Sequence, residues 1–216
     1  VEVIVYHFWT DSHLPIQEID MEKNIVTFKH KAGKVFTDDF TNNGARYIVE
    51  NVFEGLDQPG EWYLNRETGV LYYIPQEGED MTEVETIAPV APAFIHFEGN
   101  PLEREYVEHI QFKNLAFMYT HFELPVGNSN DRQGSASVPA SITLTGARHC
   151  SFHNCDIKNI GTFAFEISEG SSHNLFSHND ISYIAAGGFR INGGNQNDHP
   201  LKRTGHNEIS DNVLHH

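Results

Sequence analysis

The sequence has few cations and almost no cysteine. Lys and Arg total 14 against 30 Asp and Glu among 216 residues, which gives a formal net charge of −16. A field of this sign repels phosphate backbones, so we expect no nucleic-acid partner, and it mildly disfavours polyanionic glycans. The two cysteines, Cys150 and Cys155, cannot build a disulfide framework and lack the spacing of a zinc site. We therefore predict buried thiols, no metal site and no cofactor.

Long hydrophobic runs are also missing. No stretch approaches the roughly 18 consecutive apolar residues of a membrane span, so we expect no membrane insertion. Only 39% of the residues are apolar, which is low for a compact globule and is typical of an elongated fold with much surface. The 17 glycines, 9 prolines and many asparagines instead indicate frequent turns rather than long helices.

From residue 107 onward the sequence repeats itself with a period near 24 residues. Phe152 lies 24 residues before Phe176, Leu144 lies 23 before Ile167, and Ile167 lies 24 before Ile191. The repeated triplets alternate apolar, polar and apolar residues, which is the period of a strand and not of a helix. Short strands that recur at this spacing must stack on their neighbours to bury an apolar face. The pattern therefore predicts an all-β fold, a parallel β-helix.

Two stretches interrupt this period. Extra residues fall within 120–139 and 193–205, where Gly, Asn, Asp, Ser and Pro are frequent. Such composition is typical of loops, and insertions of this kind commonly decorate one face, often the binding face. The pattern also stops inside a coil at His216, so we expect the chain to be an excerpt of a longer protein, incomplete at its C-terminus.

The first part of the chain does not share the period. Strand-like runs such as 25–28 and 45–50 alternate with turn residues, and 62–64 and 71–73 flank a turn at 66–69, which predicts a hairpin. We assign residues 1–92 to an inserted antiparallel β module with a flanking β-helix strand. Residues 93–216 are assigned to the parallel coils.

A family resemblance rests on residues 45–75, which end in DQPGEWYLNRETGVLYYIP, and on the runs 146–150, 184–191 and 211–216. This pattern resembles the insert and coils of bacterial right-handed parallel β-helix proteins, a group that includes glycoside hydrolase family 141 and related glycan-degrading enzymes. The resemblance implies a right-handed parallel β-helix with an inserted antiparallel β module. It also implies a secreted or periplasmic location and an oligo- or polysaccharide partner of plant or host origin.

One row of outward-facing residues is the main candidate site. The alternation places Thr143, Glu166 and Arg190 outside the core on neighbouring strands, about 5 Å apart at the backbone. We predict that Glu166 is a catalytic or substrate-orienting carboxylate and that Arg190 binds substrate and keeps Glu166 ionised. The alternative is an ordinary cross-strand pair between Glu166 and Arg190.

A second row holds the other catalytic candidate. It aligns Asp156 with Asp180, and two like charges at close range raise the pKa of one carboxyl, as a general acid requires, or hold a cation. The acid would be Asp180, Glu169 or a carboxylate on a coil beyond His216, and the alternative for the two aspartates is a pair of solvated turn residues. Glu169, Asp198 and His199 lie in loops that can reach the first row, so they are candidate substrate-binding residues.

Two further groups of residues have competing interpretations. Asn154, Asn179 and Asn212 lie near the repeat turns, where we expect their amides to bond the backbone or one another. The aromatic side chains of the first part either stack on sugars or form the core of the inserted module; they are Trp9, Trp62, Tyr63, Tyr72 and Tyr73.

Three functions fit these features. The leading hypothesis is a glycoside hydrolase, or a fragment of one, that uses paired carboxylates. A polysaccharide lyase would need a basic cluster for uronates, and Arg190, Lys202 and Arg203 form the strongest such cluster in the sequence. The third hypothesis is a non-catalytic β-helix surface that binds glycans or adheres to them.

Overall fold

Within residues 1–37 and 43–216, which the computed structural model describes, the chain forms twenty strands and four short 3-10 turns and no α-helix. The predicted all-β class is confirmed. The turns span Phe53–Gly55, Pro101–Glu103, Gln133–Ser135 and Pro200–Lys202. In these described ranges no helical segment has both the length and the apolar character that a membrane crossing needs.

The chain divides into two compact units. The first unit comprises Val1–Thr86 and Leu124–Ala136, and the second comprises Ile87–Glu123 and Ser137–His216. The first unit therefore contains most of the stretch that the sequence analysis treated as a loop between coils.

The first unit is built on antiparallel strands. Strand β1 pairs on both sides, with β2 and with β4, and β3 pairs with the far edge of β2. The bounds are β1 Glu2–Tyr6, β2 Asp11–Asp20, β3 Ile25–Phe28 and β4 Tyr47–Glu50. Val3 and Val5 of β1 pack against Leu14 of β2 as a small buried core. Alternate residues of a strand face the same side, so Val3 and Val5 share the face of β1 that packs on Leu14.

The predicted hairpin is confirmed. Strand β5 (Trp62–Asn65) pairs antiparallel with β6 (Val70–Tyr73). Its turn is held by the Asn65 side chain, whose Oδ1 accepts hydrogen bonds from the backbone N–H groups of residues 67 and 68 at 3.0 and 3.1 Å. Gly69 then has φ +70, a left-handed conformation that glycine adopts without strain.

The second unit consists of parallel sheets. Its strands are β7 Ile95–Glu98, β8 Val107–Glu108, β9 Gln111–Lys113, β10 Ala116–Thr120, β11 Ala140–Thr145, β12 Ala147–Arg148, β13 Ser151–His153, β14 Asp156–Ile160, β15 Phe163–Ile167, β16 Leu175–Ser177, β17 Asp180–Ile184, β18 Gly187–Ile191, β19 Glu208–Ser210 and β20 Val213–His215. Sheet I has the order β7-β11-β15-β18, sheet II the order β9-β13-β16-β19 and sheet III the order β10-β14-β17-β20, while β8 pairs with β12. The chain thus visits sheets I, II and III in the same order four times.

The predicted columns are confirmed by the strand register, and their last members, Ile191 and Ile209, are 59% and 38% exposed. Phe152 lies opposite Phe176, which lies opposite Ile209, on sheet II. The column of Leu144, Ile167 and Ile191 lies on sheet I. The rings of Phe152 and Phe176 are stacked at 5.7 Å with an interplanar angle of 2°, and both side chains are fully buried. Burial of each such ring contributes about 1.5–3 kcal/mol relative to exposure.

Buried asparagine amides connect successive strands of the second unit. Asn179 Oδ1 accepts a hydrogen bond from the Cys155 N–H at 3.0 Å, and its Nδ2 donates to the Phe152 carbonyl at 3.1 Å. The Asn212 Oδ1 in turn accepts from the backbone and side-chain N–H groups of Asn179 at 3.0 and 2.8 Å. The structural role predicted for Asn179 and Asn212 is confirmed. Asn174 is bonded in the same way.

Both cysteines are buried free thiols, as predicted. Cys150 and Cys155 face the same core as the phenylalanine column. Burial raises the pKa of the Cys150 thiol, because a thiolate is poorly solvated among apolar side chains. These thiols therefore behave as small core residues.

Candidate functional site

Sheet I presents a continuous row of polar side chains. The register aligns His96 of β7 with Thr143 of β11, Thr143 with Glu166 of β15, and Glu166 with Arg190 of β18. Neighbouring members are about 4.8 Å apart at the backbone, the spacing of paired strands. Each is next in its strand to a residue that packs in the core, so each projects from the outer face. We call these four residues the polar row.

Glu166 is held through both carboxylate oxygens. Arg190 Nη2 donates to Oε2 at 2.5 Å, and Asn192 Nδ2 donates to Oε1 at 2.8 Å. The side chains of Glu166 and Arg190 are only 20% and 19% exposed. A charge pair this protected from solvent is screened less than a surface pair. The carboxylate is thus fixed in orientation.

Arg190 is itself fixed by neighbours other than Glu166. Its Nη1 donates to the Val138 carbonyl at 2.6 Å. Its guanidinium carbon lies 4.7 Å from the centre of the Phe163 ring, within the range of a cation–π contact. Because these contacts restrict the guanidinium, the predicted alignment of Arg190 with Glu166 becomes a rigid arrangement.

The row extends one residue beyond the prediction. His96 Nδ1 lies 2.8 Å from Thr143 Oγ1, so the imidazole is hydrogen-bonded to the hydroxyl next to Glu166. His96 was not predicted as a member of the row because it lies 47 residues before Thr143, far from the 24-residue period. The triplet Ile95-His96-Phe97 has the same alternation as the other members and was the signal that could have identified it.

Asp180 does not join the polar row. It lies on sheet III opposite Asp156, and Lys158 Nζ binds both carboxylates at 3.0 Å. The hydrogen bond from Lys158 is the largest cause of the lowered pKa of Asp180. This direction is opposite to the raised pKa that was predicted for a general acid, and the catalytic role of Asp180 stays a prediction. The cation expected between the two aspartates is the protein's own ammonium group.

The three loop candidates make local contacts. Glu169 Oε2 lies 3.1 Å from Lys202 Nζ. Asp198 Oδ2 accepts a hydrogen bond from the Asn195 N–H at 2.7 Å. His199 Nδ1 accepts from the Leu201 N–H at 3.2 Å and caps the turn Pro200–Lys202. These bonds lie within the loop that follows β18 or join it to Glu169. None of them joins one of the three side chains to Glu166.

The same loop borders a depression of about 380 Å³. Its lining includes Asn192, Asn195, Gln196, Arg203 and Thr204. Because Asn192 also binds Glu166, the depression begins where the polar row meets the loop. Amide and guanidinium groups of this kind hydrogen-bond sugar hydroxyls. Across the described residues, no three acidic, histidine or cysteine side chains come together as metal ligands would.

Comparisons with known proteins bear on the fold. No family model matches the sequence, and no curated protein matches it. A solved structure named "Glycoside hydrolase" is similar with a TM-score of 0.77 and 18% identity, over 99% of this chain and 44% of that chain. This chain therefore spans less than half of the length of that structure. At this identity the likeness shows the fold alone.

Proposed function

We propose that this protein acts on an oligo- or polysaccharide as a glycoside hydrolase, or as part of one, with the glycan bound along the polar row. The observation that carries the proposal is the doubly held carboxylate of Glu166. It lies on an outward-facing sheet, beside Arg190 and beside a depression lined by amides. A flat sheet edged by a loop suits an extended sugar chain better than a small compact ligand.

We infer that the three parallel sheets are the faces of a right-handed parallel β-helix related to glycoside hydrolase family 141. The fourfold recurrence of sheets I, II and III along the chain supports this architecture. In this proposal residues 93–216 form the coils and residues 1–92 form the inserted antiparallel module. A secreted or periplasmic location belongs to the same proposal, since it is typical of the family that the sequence resembles.

The geometry favours a particular role for Glu166. An ionised carboxylate offers about four lone-pair sites, and Arg190 and Asn192 occupy one on each oxygen. The remaining sites can accept a sugar hydroxyl or attack an anomeric carbon. Glu166 is therefore a nucleophile or a hydroxyl-binding residue.

The lyase alternative loses support from the contacts of its basic cluster. A lyase needs cations that neutralise a uronate carboxylate. Arg190 already binds Glu166, and Lys202 already binds Glu169. Two of the three cations in the cluster are thus neutralised within the protein, which favours a neutral glycan.

A glycan-binding surface without catalysis is the second candidate. The observation that favours it is that Asp180, the carboxylate predicted as partner of Glu166, lies on sheet III and is paired with Lys158. Hydrolysis needs two carboxyl groups about 5–5.5 Å apart for retention or about 6.5–9.5 Å apart for inversion. Binding needs only the polar row.

The test compares Glu166→Gln with Glu108→Gln, which changes an exposed carboxylate on β8. Both variants and the wild type are assayed for reducing-end release and for binding, on plant and host oligosaccharides. A hydrolase loses about a hundredfold or more of its turnover in Glu166→Gln only. A binding surface shows weaker affinity in that variant and no turnover in the wild type. A wild type that neither binds nor cleaves any of these glycans would refute the proposal.

A further inference from the structure

The first unit contains a second concave site. A depression of about 320 Å³ lies between the tip of the β1–β2 hairpin and a segment near residue 132. Its lining includes Tyr6, Trp9, Asp11, Asp131 and Arg132. Two aromatic rings, two carboxylates and one guanidinium thus converge on a space that is large enough for a small ligand.

The hairpin tip that carries Trp9 is ordered by several contacts. The His7 N–H donates to the Thr10 carbonyl at 2.8 Å, which closes the turn. The His7 Nε2 lies 2.8 Å from Ser12 Oγ. The rings of Phe8 and Trp9 pack in a T-shaped arrangement with centroids 4.1 Å apart and an interplanar angle of 85°. The indole is nonetheless 58% exposed. A large aromatic ring is therefore held in place while much of its surface stays open.

The opposite wall is fixed to the same unit. The Ser129 carbonyl accepts a hydrogen bond from the His13 N–H of β2 at 2.6 Å. Nearby, Asn130 approaches Gly33 so closely that a Cβ on Gly33 would lie 2.6 Å from Asn130 Oδ1. A side chain at position 33 would therefore require the Asn130 side chain to move. These contacts explain why residues 124–136 belong to the first unit.

We propose that this depression is a binding site for a neutral saccharide. The C–H face of a pyranose stacks on an indole, and its hydroxyls donate to carboxylates such as Asp11 and Asp131. Arg132 can donate to a hydroxyl or ring oxygen on the same sugar. Two carboxylates against one guanidinium, within a chain of net charge −16, disfavour uronates and sulfated sugars. The site lies in the first unit, and its binding requires no hydrolysis.

The two tryptophans of the chain provide a matched comparison. Trp62 is 63% exposed, similar to Trp9, but it lies on β5 opposite Tyr73 in a flat hairpin. In Trp62→Phe, Trp9 is the only tryptophan left, and in Trp9→Phe only Trp62 remains. Emission from each variant therefore reports on one site alone.

The experiment titrates both variants with cellohexaose, xylohexaose, mannohexaose and trigalacturonate. We expect a saturable emission change with a neutral hexaose in Trp62→Phe and none in Trp9→Phe. By calorimetry, Trp9→Ala weakens the dissociation constant for that hexaose about tenfold, while Trp62→Ala leaves it unchanged. Circular dichroism checks that the variants are folded.

Three results would overturn the proposal. They are no saturable change with any neutral hexaose at millimolar concentration, a change that follows Trp62 instead of Trp9, and tighter binding of trigalacturonate than of every neutral sugar. The titration is repeated in Trp62→Phe combined with Glu166→Gln. The Trp9 response persists there if the site is separate from the polar row, and its loss would contradict the proposal.

Discussion

The polar row makes a quantitative prediction about the pair of Glu166 and Arg190. Arg190→Met keeps much of the aliphatic length of the side chain and removes the guanidinium. The change deletes the hydrogen bond to Glu166, the bond to the Val138 carbonyl and the contact with the Phe163 ring. It leaves the Glu166 carboxylate with Asn192 as its remaining partner among these contacts, in a side chain that is only 20% exposed.

The magnitude follows from these losses. A hydrogen bond to a charged group contributes about 1.5–3 kcal/mol, and a surface cation–π contact about 0.5–1 kcal/mol. In this variant the Glu166 carboxylate keeps the hydrogen bond from Asn192 and some contact with water. We therefore expect Arg190→Met to lower the free energy of unfolding by about 2–4 kcal/mol. Glu166→Leu removes the charge that needs a partner. The double variant should therefore cost less than the sum of the single ones, with a coupling energy of about 1.5–3 kcal/mol.

The assay is urea unfolding followed by far-ultraviolet circular dichroism for the wild type, both single variants and the double variant. Glu108→Leu, alone and with Arg190→Met, serves as the control cycle, and its coupling should be close to zero. A coupling energy below about 0.5 kcal/mol for Glu166 and Arg190 would equal that of an exposed ion pair. That result would refute the inference that this pair is rigid and protected from solvent.

Three further predictions concern groups outside the polar row. Lys158→Met should raise the pKa of Asp180 in a carboxyl NMR titration. Lys158 lowers the pKa of Asp180 from its usual value of 3.8. The pair of Lys158 and Asp180 should therefore stabilise the fold above about pH 4 and lose this effect as the pH falls. An unchanged titration of Asp180 in Lys158→Met would contradict this prediction. Cys150 and Cys155 should resist a thiol reagent until the chain is denatured, because both are buried; rapid labelling of the native protein would argue against a closed core. Asn179→Ala should lower the free energy of unfolding by about 2–4 kcal/mol, as measured in urea, because the Cys155 N–H and the Phe152 carbonyl lose their hydrogen bonds to its amide. A cost below about 0.5 kcal/mol would exclude a stabilising role for this amide.

The predictable part of the fold was the part with a strict period. Phe152 and Phe176 recur 24 residues apart, and parallel pairing at that spacing places them opposite each other. The same register aligned Glu166 with Arg190. Alternation of side chains then determines which residue faces outward. Local periodicity thus sufficed for the core and for the centre of the candidate site.

The missed features depend on contacts that have no period. Asn192 reaches Glu166 from just beyond the end of β18, where the alternation ends. Residues 124–136 belong to the first unit through tertiary contacts such as that of Ser129 with His13. The error at Asp180 was of a different kind. The raised pKa was predicted from the two aspartates alone, although Lys158 lies two residues after Asp156, on the same face of its strand.

The buried amides have a consequence for how such a chain can lengthen. Asn179 bonds the backbone N–H of one residue and the backbone carbonyl of another, 24 and 27 residues earlier, and no part of their side chains. A tandem duplication that inserted one more copy of this segment would offer its asparagine the same backbone groups. The new copy would therefore be accommodated without compensating substitutions at these positions. The hydrogen-bonding pattern of the second unit therefore allows the chain to lengthen by duplication of a segment within its gene.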